Sequence, residues 1–288
     1  MSRLRELAAA AAIAMLAMAV AAMVPFLSHI QFSFHPERAV AAVRVVSATA
    51  DAAFRAAAES AAPQKQPQPI VLPDPAAIQA ADAAERLRLK IPAELYAYFD
   101  VYLYVSKAAE GSLAQHMFVF HKGDADDLVY EQNFPVSTGR ERHERYFTTT
   151  PEGLFELDPN RFERVHYSNT WHGAAMPWTM FLDAVIHGGQ TGIALHSADV
   201  HVAELGKRAS GGCVRMPPDK AAELFQRFQA TEHGMVPIFA YDAAHRRTNG
   251  DGAVLRDAHG QPILTPGYRV LVFIEDYPGG PALVALIG

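Results

Sequence analysis

Cysteine is almost missing from this chain: Cys213 is the only thiol among 288 residues, so no internal disulfide can form. A lone thiol is either buried as a small hydrophobe, the usual fate of free cysteine, or retained for its reactivity. Positive charge is also scarce. Lysine and arginine number 25 against 31 acidic residues, a formal charge of −6, and this leaves no basic footprint for DNA or RNA. No internal repeat is visible. The length exceeds one average domain without requiring two. Half of the residues are apolar, enough for one good core, although much of that total is N-terminal alanine, which buries little.

What the chain does have, first, is an uncharged run from Leu7 to Leu27, preceded by Arg3 and Arg5. Its length is near the ~20 residues that span a bilayer. Positive charge on the N-terminal side alone is the pattern of an export signal or an uncleaved anchor. Ala17, Ala19 and Ala21 offer small residues for a cleavage site, and the two forms remain open. A buried alanine-rich helix is the alternative. Residues 1–30 are thus expected to be a signal peptide or membrane anchor, the only contact with a membrane. The remainder would lie in the periplasm or cell envelope, where an idle thiol is a liability.

From Phe34 to Ser60 the chain is alanine-rich and helical in character, and Pro63–Pro75 is a Pro/Gln-rich stretch expected to be extended and semi-rigid. A short helix over Ala76–Lys90 follows. Residues 31–90 read as a helical and Pro/Gln-rich spacer, with packing onto the following domain as the alternative. Beyond Ile91 the texture changes. Val101–Val105, Met117–Phe120, Phe134–Gly139, Gly153–Leu157, Gly192–His196, Val236–Tyr241 and Tyr268–Asp276 read as strands, with a turn around Gly111. One helix is expected from Pro217–Pro218–Asp219 to about Thr231, with Leu224, Phe225 and Phe228 on its apolar side. The fold class is therefore mainly β, two packed mixed sheets with one principal helix, preceded by the helical spacer. Residues 91–241 form the main domain. Residues 242–288, with a Gly- and Asn-rich start, are expected to be a structural β extension, a hairpin added to the sheet edge.

The chemistry concentrates in Ile193–Met216, IALHSADVHVAELGKRASGGCVRM. A strand delivers His196, and Cys213 follows seventeen positions later, after Ser210–Gly211–Gly212, a glycine-permitted turn that lets backbone approach a ligand. A thiol titrates near ~8.5 and is mostly protonated at neutral pH. An adjacent imidazole can take its proton, and the N–H groups of Gly212 and Cys213 can face the oxyanion formed on attack. His187 is a rival base and makes, with His196 and His201, a conceivable zinc set. Its spacing to Cys213 is longer, and steps on a strand and loop lack the fixed geometry of two histidines on one helix turn. Trp171, Trp178 and Tyr167 read as core residues or as a lid over the cleft.

These residues resemble the signature of the YkuD-like L,D-transpeptidases: a histidine, about a dozen residues, then S-x-G-C-[IV]-R. FPVSTG (Phe134–Gly139), TPEGLF (Thr150–Phe155) and MPWTMF (Met176–Phe181) resemble further family segments in the same order, so the likeness covers about residues 95–241. The resemblance implies Cys213 as nucleophile, His196 as general base, and Ser197 as the residue whose carbonyl orients the histidine. It implies Ser210, Gly211 and Gly212 as the turn, and Arg215 as a brace or a contact for substrate charge, with a plain structural ion pair as the alternative. Two positions depart from the pattern: Gly211, where histidine is frequent, and Glu152, where threonine is common. The implied reaction is on peptidoglycan stem peptides, with no metal or organic cofactor and no obligate protein partner. A thioester on Cys213 would pass to the amine of a neighbouring stem to give a 3–3 cross-link. Water as acceptor would make the enzyme an L,D-carboxypeptidase, and attachment of a wall protein would use the same site. A non-catalytic wall-binding module is the alternative from another class. A papain-like protease has its cysteine before its histidine, the reverse of the order here.

Overall fold

A computed structural model describes residues 74–124, 127–142 and 148–280, all within the compact unit Leu72–Gly288. The hydrophobic segment 1–30, the helical stretch 34–60 and most of the Pro/Gln-rich stretch lie outside the described residues. Among the described residues no helix is long and apolar enough to cross a membrane.

Helix α1 (Pro75–Lys90) starts where the sequence places a helix and is capped by the Asp74 side chain, which accepts from the Ala76 N–H at 3.1 Å. Ala80, Ala83, Ala84 and Leu87 are buried on one face, and they share a core with Tyr102, Tyr104, Phe118 and Phe120 of the sheet. Arg86 adds a two-pronged ion pair to Glu275, at 2.8 and 2.6 Å. The spacer reading is therefore corrected for residues 75–90, which pack on the domain. Alanines that bury little area on their own let the helix backbone approach the aromatic sheet face closely.

The strands that follow are β1 (Val101–Ser106), β2 (His116–Lys122), β3 (Leu128–Pro135), β4 (Gly153–Tyr167), β5 (Ala175–Asp183), β6 (Ala194–Ser197) and β7 (Val214–Met216). Helix α2 (Pro218–Thr231) then leads into β8 (His233–Pro237), β9 (Leu264–Tyr268) and β10 (Val270–Glu275). Eight of these join in one mixed sheet of order β3-β2-β1-β10-β4-β5-β6-β7, while β8 and β9 pair as a separate ribbon. The architecture is mostly β with few helices, as the β-rich runs imply, and its main sheet is one continuous ladder. The start of β4 pairs with β10, the rest pairs with β5, and the register shifts between Leu157 and Phe162, a bulge that bends the strand. Both parts then feed one core: Leu103 and Val272 from the first, Met180, Leu195 and Val214 from the second, with Leu224, Phe225 and Phe228 of α2.

The C-terminal segment requires a second correction. β10 is not an edge addition: it pairs in parallel with β1 and antiparallel with β4, and every one of its residues is buried. Val270–Ile274 (VLVFI) is a continuous apolar run, the mark of a strand covered on both faces. Removing it would leave β1 and β4 with two unpaired edges inside the molecule. Truncation after Tyr241 is accordingly expected to give insoluble protein on expression; a soluble, cooperatively melting product would contradict the central placement of β10.

Candidate active site

The parallel pair β6–β7 sets the site. Its register places Leu195 beside Val214, His196 beside Arg215 and Ser197 beside Met216. Side chains alternate between the faces of a strand, so Leu195, Val214 and Met216 enter the main core. Ala194, His196 and Arg215 take the other face. Cys213, one residue before β7, packs against a small cluster of Met176, Phe181 and Ala194. Cys213 and His196 consequently line one cavity of about 320 Å³, with Arg140, Trp171, Gly211 and Arg215 among the other walls.

His196 is buried, only 6% exposed, and its Nδ1 lies 2.8 Å from the Ser197 carbonyl oxygen. A neutral imidazole in this contact carries its proton on Nδ1 and leaves the Nε2 lone pair to accept another. Burial pulls its pKa down to about 4, the Ser197 bond opposing and the Arg215 charge reinforcing the effect. The half-buried Cys213 thiol points to the Gly192 carbonyl at 3.7 Å. Burial pushes its pKa up, opposed by a backbone bond at Ala194 and by the Arg215 charge. At neutral pH the two groups therefore rest as thiol and imidazole, not as an ion pair. Such a site suits proton removal from sulfur during attack on a carbonyl, with the imidazole as acceptor.

The turn before Cys213 is pinned from several sides. Gly212 has φ +124°, a conformation open in practice to glycine alone. The Ser210 hydroxyl donates to the Cys213 carbonyl and accepts from the Gly212 N–H, the latter at 3.0 Å. The Gly212 N–H is thus engaged, which corrects its reading as an open oxyanion donor. The Cys213 N–H makes no hydrogen bond with any described residue. Thr150 Oγ1 donates to the Gly212 carbonyl and accepts from the Gly139 N–H, both at 2.8 Å. Ser137 exchanges both backbone bonds with Arg215, each at 2.9 Å. The FPVSTG and TPEGLF segments are therefore the mounts of the cysteine turn. Glu152 reaches the buried Lys107 at 3.1 Å, so the departure from threonine there supplies an ion pair behind Thr150.

Arg215 pairs with Glu204, whose carboxylate also lies 3.4 Å from His201 Nδ1. The interaction Arg215 makes here is that ion pair. Ser197 contributes its backbone to the histidine, while its hydroxyl accepts from the Asp199 N–H at 3.1 Å. Gly211 sits under Trp171: a Cβ there would fall 2.5 Å from the indole ring. Trp178 packs instead into the main core, its ring 5.5 Å from that of Phe225. His187 lies away from the walls of the Cys213 cavity. Among the described residues, no three or more His, Cys, Asp or Glu side chains converge in a way that would hold a metal. Sequence reading missed Thr150 as an individual residue, along with Lys107 and Arg140. Thr150 lay within a quoted motif, but nothing local marks its hydroxyl as a bridge to a glycine 62 positions away.

Residues 101–255 match the family model of the L,D-transpeptidase catalytic domain, YkuD. The chain belongs to this family. The match covers more than half of the chain and contains the whole of the site, yet stops before β10, which completes the L,D-transpeptidase sheet here. No curated protein matches. Among solved structures, the chain is similar to LdtMt1 in complex with imipenem at 16% identity and a TM-score of 0.35, covering 61% of this chain and 59% of that one. It is similar to an L,D-transpeptidase from Mycobacterium smegmatis at 15% identity and a TM-score of 0.35, covering 61% and 58%. The Ldtfm–avibactam carbamoyl enzyme matches at 22% identity and a TM-score of 0.30 over 44% of each chain. This chain thus spans less than two thirds of those proteins, and at such scores they do not bear on individual residues.

Replacing Thr150 by valine keeps the shape but strands the buried Gly212 carbonyl and Gly139 N–H. Each orphaned group costs about 1–3 kcal/mol, so Thr150→Val is expected to lower the denaturation midpoint clearly and to reduce the labelling selectivity of Cys213. An unchanged urea midpoint would show that the hydroxyl bridge does not hold the turn.

Proposed function

We propose that this L,D-transpeptidase family member forms 3–3 peptidoglycan cross-links through a thioester on Cys213. The observation that carries the reading is that one thiol and one buried imidazole line a single cavity, with the imidazole's Nδ1 engaged by the Ser197 carbonyl. His196 Nε2 takes the Cys213 proton as the sulfur attacks the carbonyl of the third, L-centred residue of a tetrapeptide stem. The oxyanion meets the Cys213 N–H. Collapse breaks the amide bond, and His196 returns the proton to the departing D-alanine amine, leaving the thioester. The side-chain amine of a neighbouring stem then attacks. His196 accepts its proton and passes it to the leaving sulfur, which restores the thiol and releases the cross-linked product. No step calls for a metal or organic cofactor. Such a substrate places the enzyme outside the cytoplasm, in the periplasm or cell envelope, consistent with the N-terminal hydrophobic run.

Water as acceptor would convert the same thioester into a carboxypeptidase product, and a wall-protein amine would give attachment. A non-catalytic wall-binding module has no use for a base held in one tautomer beside a thiol. The test is incubation of the purified chain, in detergent, with disaccharide-tetrapeptide, followed by mass spectrometry beside Cys213→Ala. A dimer that has lost one D-alanine is expected, with the variant slower by roughly 10⁴-fold or more, as for loss of other nucleophiles. Tripeptide alone would identify a carboxypeptidase, and equal inertness of both proteins would overturn the enzymatic reading.

A further inference from the structure

The cavity wall holds a cation that the reaction above does not use. Arg140 lines the same cavity as Cys213 and His196. Its Nη1 donates to the Ala209 carbonyl at 3.0 Å, and its backbone N–H donates to the Ser210 carbonyl at 3.2 Å. The guanidinium carbon lies 5.4 Å from the centre of the Trp171 ring. The neighbouring Arg215 is neutralised by Glu204, and Arg208, nearby in sequence, by Asp276 at 2.7 Å. Arg140 has no carboxylate partner among the described residues. The one carboxylate lining the cavity, Asp199, makes no ion pair with it. A guanidinium has five N–H donors in a planar fork, and among the described residues only one of these, to the Ala209 carbonyl, is engaged.

The turn that carries the ring beneath it is held in place. The Trp171 backbone N–H donates to the Ser168 hydroxyl at 3.2 Å and the Trp171 carbonyl accepts from the Ala174 N–H at 2.9 Å. Gly173, at φ +76°, lets the turn close. Gly211 leaves the indole the volume that any side chain at that position would fill. Trp171, Gly211 and the Ala209 carbonyl thus pre-orient the guanidinium, so less rotamer freedom is lost when it takes a ligand.

We propose that Arg140 is the anchor for a substrate carboxylate, the free C-terminal carboxylate of the residue that departs from the donor peptide. This rests on the transpeptidase reading and names how the donor is recognised. A forked guanidinium matches a carboxylate in two parallel bonds. Arg140 is tied to Ala209 and Ser210, a few residues before the nucleophile, so its ligand is bound next to the scissile amide. In a tetrapeptide stem the carboxylate closest in bonds to that amide belongs to the departing D-alanine, whose nitrogen is the leaving group. The anchor would thereby make the enzyme selective for stems ending at the fourth residue, because a longer stem moves the carboxylate one residue away.

The experiment compares two donors on the full chain in detergent: a tetrapeptide stem with a free C-terminus and the same stem as its C-terminal amide. Wild type is expected to prefer the free acid through KM. Arg140→Gln is expected to raise KM for the acid roughly tenfold to a hundredfold, the range of a lost charge-assisted pair, while leaving the amide donor almost unchanged. Arg140→Lys should recover part of the preference. Labelling of Cys213 by iodoacetamide, a small neutral reagent, should be equal in all three proteins, separating loss of the anchor from damage to the turn. Equal slowing of both donors by Arg140→Gln, or a wild type indifferent to the C-terminal charge, would overturn the anchor. Turnover of neither donor by wild type would instead sink the transpeptidase reading. The anchor would then be decided by calorimetric binding of the two stems: binding of the acid to wild type but not to Arg140→Gln supports it, and equal binding of acid and amide overturns it.

Discussion

The parallel pairing of β6 with β7 is the constraint on which the site depends. With Leu195 beside Val214 and His196 beside Arg215, alternation sends one set of side chains into the main core and the other into the cavity. A slip of one residue would exchange the sets, burying Arg215 among leucines and turning Val214 and Met216 towards the cavity. The hydrophobic core on one face thus fixes the placement of His196 and Arg215 on the other. The segment from Ser197 to Cys213 leaves and rejoins that register, tied on the way by the Gly206 and Ser210 N–H bonds to the Val136 and Thr138 carbonyls.

Burial then determines how the pair works. A thiol raised and an imidazole lowered by the same desolvation rest uncharged; in the proposed reaction, charge appears only when a substrate carbonyl is present to receive the sulfur. The cost of holding the turn in place is spread over hydroxyls: Ser210 from within, Thr150 from the neighbouring segment. Glycines 211 and 212 serve separate ends, one a positive φ and the other a close approach to Trp171.

Much of this was legible in the sequence. The strand pattern, α2, and the nucleophile and base candidates followed from apolar periodicity, from the Ser-Gly-Gly-Cys turn and from the family resemblance. The Ala76–Lys90 helix was also visible, but its docking was not, because alanine carries no signal of what it packs against. β10 was recognised as a strand and placed wrongly: order along the chain says nothing of order across a sheet, and a parallel partner 169 residues away (Val101 with Val270) leaves no local mark. Arg140 and Thr150 were invisible for a related reason. Their meaning lies in contacts with the cysteine turn, 69 and 62 positions distant, and an isolated arginine or threonine looks like any surface residue.

The measurement that bears most directly on this account is a pH titration of His196 by nitrogen-resolved NMR in the folded, ligand-free protein. Burial of His196, with Nδ1 at the Ser197 carbonyl, predicts a neutral imidazole with its proton on Nδ1 from neutral pH down to about 4. Since an exposed histidine titrates near ~6.5, the native state binds fewer protons than the unfolded state across that window, and stability should fall as pH drops through it. A His196 signal that titrates at the ordinary value, or that is already cationic beside a thiolate at pH 7, would contradict the neutral buried pair.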